Sequence, residues 1–68
     1  MKSLIERIII GLQLFHSKGS EDLVTAVDIM YAGGPECAPD TLNHIEAAIL
    51  EELGWHWDET LETWYHLI

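Results

Sequence analysis

The sequence predicts an α+β domain, and three observations carry that prediction. An apolar run at helical spacing stands near the N-terminus, a β-branched stretch fills the middle, and an aromatic ending can fold back on itself. The expected order is N-terminal helix, central strand, second helix and C-terminal β-hairpin. Its strands form a small three-stranded antiparallel sheet covered by helices. Sixty-eight residues make a single small domain, 1–68, because a second core does not fit in this length. A hydrophobic fraction of 49% argues against disorder. The lone Cys37 excludes an internal disulfide, so dense packing or self-association must stabilise so small a core.

Residues 3–17 read as the first helix. Leu4, Ile5, Ile8, Leu12 and Phe15 recur at three- and four-residue steps and stack along one face. Ile9, Ile10 and Leu14 widen that stripe and form a candidate oligomer interface, because a helix apolar nearly all round is covered on more than one side. Gly19 supplies the C-terminal cap. Residues 23–32 are rich in β-branched and aromatic types and read as one strand. Its larger apolar face, Thr25, Val27, Ile29 and Tyr31, is the expected core side. Gly33-Gly34-Pro35 ends that strand.

The second helix is expected over His44–Leu53. Asn43 suits the N-cap and Glu46 completes a capping box, although a start at Asp40 or Thr41 satisfies the same preferences. Gly54 ends it. Residues 54–58 and 63–68 then pair as a hairpin around a four-residue loop. That loop sets Asp58 opposite Thr63, Trp57 opposite Trp64 and Trp55 opposite His66. The three indoles share one face, with His56 and Tyr65 on the other.

Charge is distributed unevenly. The net charge is −9, but residues 1–18 carry three bases and one acid, while residues 19–68 carry eleven acids and no Lys or Arg. Nucleic-acid binders need a basic stripe to displace counterions, so direct DNA or RNA binding is excluded, and anchoring on anionic lipid is disfavoured. Eleven acids without a base exceed what solubility requires, and a field of that kind steers association with basic partners. Glu51, Glu52, Asp58, Glu59 and Glu62, at the second helix end and the hairpin tip, are the candidate acidic edge. His56 and Tyr65 add an aromatic contact.

The run Leu50-Glu51-Glu52-Leu53-Gly54-Trp55-His56-Trp57-Asp58-Glu59, followed by Trp64, is similar to the ending of a family of small uncharacterised proteins of bacteriophages and prophages. Asp28-Ile29-Met30-Tyr31-Ala32-Gly33 resembles their central strand, which often reads His-Asp-x-Ile-x-Ala-Gly; Val27 stands here in place of that His. The resemblance covers residues 23–68. It implies a phage or mobile-element accessory protein. The host bacterial cytoplasm is the expected compartment, from a single thiol and a start whose apolar run is broken by Glu6 and Arg7 and followed by no cleavage site.

Catalytic and metal chemistry find little support. His44 and Glu46 diverge on a helix, and His56 and His66 fall on opposite sheet faces, so no ligand spacing emerges and neither metal nor cofactor is expected. Cys37 follows Glu36, which opposes a reactive thiolate. Gly33-Gly34 lacks the lysine of a phosphate loop. A chain this short does not readily build a water-excluding cleft for paired carboxylates. The expected function is therefore non-catalytic: an acidic interaction protein that binds and modulates a basic host protein, with inhibition the favoured form. The expected partner is a defence nuclease, a CRISPR effector or a basic patch on a host regulator. The alternative is a homodimer or larger oligomer that sequesters a small ligand between copies.

Overall fold

The computed structural model describes residues 2–68 and confirms the α+β class, with two helices on a four-stranded antiparallel sheet. The chain runs through α1 (Leu4–Ser17), β1 (Leu23–Thr25), β2 (Ile29–Ala32), a 3₁₀ turn (Pro35–Cys37), α2 (His44–Glu52), β3 (His56–Asp58) and β4 (Thr63–Leu67). The strand order is β1-β2-β4-β3.

Both helices begin and end by the same devices. Ser3 and Asn43 each close a capping box with the Glu three residues on, satisfying donors that the first helical turn leaves free. At the end of α2, Gly54 N–H donates to Glu51 O and Trp55 N–H to Leu50 O, the paired bonds of a Schellman motif. Gly54 adopts φ 96°, which a side chain rarely tolerates. Gly19 and Ser20 make the equivalent bonds to His16 and Phe15 at the end of α1.

The core lies between the helices and one sheet face. Phe15, Leu50, Leu53, Trp55, Trp64, Ala32, Cys37 and Leu42 are buried together. Trp64 stacks at 6.4 Å from Phe15, and Trp55 meets Phe15 edge-on at 5.0 Å. Each fully buried indole N–H donates to a distant carbonyl: Trp55 Nε1 to Arg7 O at 3.1 Å, and Trp64 Nε1 to Cys37 O at 2.6 Å. Two large aromatics are thus buried with no indole donor left unpaired. Gly11 permits the approach of α1, since a Cβ there would fall 2.6 Å from Trp55 Cε2.

The sheet has one strand more than expected. Residues 23–32 form a tight hairpin, β1–β2, with Ala26 N–H donating to Ile29 O across Val27 and Asp28. Favoured two-residue hairpin loops need positive φ and so advertise themselves through Gly or Asn. Here neither loop residue has positive φ, and that signal is missing. The core face of these strands also differs from the expected Thr25, Val27, Ile29 and Tyr31. Val27 is the fully exposed hairpin tip, Thr25 is exposed, and Ile29 and Tyr31 are half-buried on the opposite side of the sheet. Met30 and Ala32 face the core instead, because Ala32 pairs with Trp64 and leaves room for the indole.

The C-terminal hairpin keeps the expected register over β3 and β4, with His56, Trp57 and Asp58 opposite Tyr65, Trp64 and Thr63. Trp55 lies outside the strand, however, because its N–H is committed to the end of α2.

Candidate functional site

Strand pairing aligns one row across the whole sheet on the side away from the core: Val24, Tyr31, Tyr65 and His56. Tyr31 and Tyr65 lie with ring centroids 6.4 Å apart, and His56 lies 5.5 Å from Tyr65. Ile29 and Leu67 pair on the same face. Val24, Leu67 and His56 are exposed, and the tyrosines are half-buried by one another. The period of two that places Trp64 inside places Tyr65 outside. The result is an open aromatic and apolar face, the kind of surface that interface hot spots use.

His56 and Tyr65 therefore meet as the hairpin register requires. Tyr31 and Val24 complete their row, and sequence reasoning missed both by treating residues 23–32 as one strand with Tyr31 in the core.

The acidic candidates divide between places. Glu51 and Glu52 are exposed at the end of α2. Glu52 lines a hollow of about 430 Å³ with Lys2, Arg7, Ile49 and Leu53, so part of its field meets the chain's own bases. Arg7 Nε in this region is buried without a hydrogen-bond partner among the described residues. Glu59 and Glu62 line another hollow, of about 450 Å³, with Asp40 and Trp57. Asp58 is half-buried and holds the hairpin turn, its Oδ1 accepting from Thr60 and Leu61 N–H.

The candidate oligomer residues also divide. Ile10 and Leu14 pack against the core, whereas Ile9 stays 47% exposed. Ile5 on α1, with Ile45 and Ile49 on α2, joins Ile9 as exposed isoleucine.

Among the described residues, no three His, Cys, Asp or Glu side chains converge as metal ligands. His66 lies inside, its Nε2 2.9 Å from Leu53 O and its ring 5.2 Å from Trp55, on the opposite face from His56. Cys37 is fully buried; burial pushes its thiol pKa up and Glu36 adds to the effect. Two carboxylates titrate low. A hydrogen bond from Lys18, whose Nζ is 2.8 Å away, holds Glu46 below the usual range, helped by Asn43 N–H. Glu6 is lowered first by Ser3 N–H and then by the Ser3 hydroxyl. The Glu6 effect belongs to helix capping and the Glu46 effect chiefly to its ion pair with Lys18, and neither points to a reaction.

No family model matches the chain, and comparison with curated proteins and with solved structures returns no match. No described helix is long and apolar enough to cross a membrane.

Proposed function

We propose that this protein is a non-catalytic, acidic interaction module that docks on a basic protein partner and blocks it. The observation that carries the reading is charge without compensation. Residues 19–68 hold eleven acids and no Lys or Arg, and among the described residues the single ion pair is Lys18–Glu46. A field left unneutralised destabilises a small domain by self-repulsion, and its use is to accelerate encounter with opposite charge. The phage-like resemblance of residues 23–68 directs the choice of partner to the nucleic-acid channel of a host defence nuclease or CRISPR effector, met in the bacterial cytoplasm. The test is association with such a nuclease at rising salt, with duplex DNA as competitor. The rate falls steeply with ionic strength, DNA competes, and the triple change Glu51→Lys, Glu52→Lys and Glu59→Lys slows association. An affinity indifferent to salt would sink the proposal.

A second reading, a ligand-sequestering oligomer, draws on Ile5, Ile9, Ile45 and Ile49, which both helices leave in water one turn apart. Sedimentation at micromolar concentration decides it, because a monomer has no space between copies.

A further inference from the structure

A hollow of about 420 Å³ opens where β1, β2 and the β3–β4 loop meet, at one end of the open face. Val24, Tyr31, Pro35 and Leu61 give it apolar and aromatic walls, and Asp22 and Glu62 also line it. Val24 and Leu61 are 63% and 57% exposed, so two large aliphatic side chains stand in water beside two carboxylates. Among the described residues, neither carboxylate has a cation within 4.0 Å, since the only such pair is Lys18–Glu46. A third acid crowds the site. Asp22 Oδ2 and Glu36 Oε2 lie 2.5 and 2.8 Å from the point that a Cβ on Gly34 would occupy, so two like charges stand side by side over the one residue type that leaves them room.

We propose that this hollow receives an arginine side chain of the basic partner. The inference rests on the acidic-module reading and names a docking surface distinct from the Glu51, Glu52 and Glu59 edge. A guanidinium is planar and weakly hydrated. It can lie against the Tyr31 ring while its forked donors face Asp22 and Glu62. Its aliphatic stem covers Val24 and Leu61, which an ammonium on a hydrated tip does less well. A second copy of this chain fits poorly, because it brings a charge of −9 against −9.

The test is a titration of the ¹⁵N-labelled full chain with a short blocked peptide carrying one arginine between two leucines. Its citrulline counterpart and calcium chloride alone serve as controls. The arginine peptide shifts the amides of Val24, Tyr31, Leu61 and Thr63, and neither control does. The double variant Asp22→Asn, Glu62→Gln keeps its circular dichroism and binds about three- to tenfold more weakly. Shifts centred on Glu51, Glu52 and Glu59, or equal binding by the double variant, overturn the hollow but leave the acidic-module reading standing. The salt series with the nuclease judges that reading separately. Calcium shifting the same amides would assign the hollow to a cation and overturn the proposal. Shifts that grow with protein concentration alone would assign it to a second copy, with the same consequence.

Discussion

Trp64 and Tyr65 are neighbours in one strand, yet they belong to different regimes. Trp64 has no exposed surface, packs against Phe15 and Trp57, and gives its N–H to a loop carbonyl. Tyr65 is half-buried between Tyr31 and His56, in a row with neither helix above it. The same strands thus hold the molecule together on one face and leave aromatic surface free on the other. In a chain this short the division follows from parity alone.

The largest expected break in that comparison is Trp64→Ala. Removing a fully buried indole destabilises by about 3–5 kcal/mol, close to the whole stability of a small domain, so the variant is unfolded at 25 °C by circular dichroism. Tyr65→Ala, one residue on, lowers stability by about 1 kcal/mol in urea denaturation, because it loses only cross-strand contacts. Equal losses at the two positions would dissolve the distinction between the faces. Gly11→Ala comes next. In an exposed helix interior that change stabilises by about 1 kcal/mol, but here the methyl meets Trp55, and overpacking costs about 1–3 kcal/mol. The sign of the shift in thermal midpoint reads which effect wins, and a loss is expected.

Smaller effects sharpen the open side. Glu62 sits at φ 54°, the left-handed region that favours glycine. Glu62→Gly therefore raises stability by about 0.5–1 kcal/mol in urea, while arginine-peptide binding weakens. The smallest effect concerns the Lys18–Glu46 ion pair, since Gln at position 46 still completes the capping box. Because the Glu46 pKa is lowered in the folded state, its contribution is present above the ordinary Glu value and lost as pH falls through the folded one. The gap in urea midpoint between wild type and Glu46→Gln is open at neutral pH and closes as the pH falls through the lowered Glu46 value.

The parts legible in advance are those with local chemical marks. Asn43 with Glu46 announced a helix start, Gly19 and Gly54 announced helix ends, and the spacing of the hairpin aromatics carried its register. The β1–β2 turn had no such mark, because Val27 and Asp28 turn the chain with no positive φ. Missing it moved Tyr31 into the core and hid half of the aromatic row. The hollow at Asp22 was illegible for another reason. Its walls come from Val24, Tyr31, Pro35 and Leu61; the β1–β2 pairing sets Val24 beside Tyr31, and the β2–β4 pairing brings the Leu61 loop to them.

That central pairing also governs how the chain acquires its shape. The β1–β2 and β3–β4 ribbons close over short loops and can form on the microsecond scale. β2 and β4 meet only after all of α2 and β3 has been looped out between them. Closing that long loop is the slow entropic step, so folding takes the form of two quick ribbons waiting for one seam.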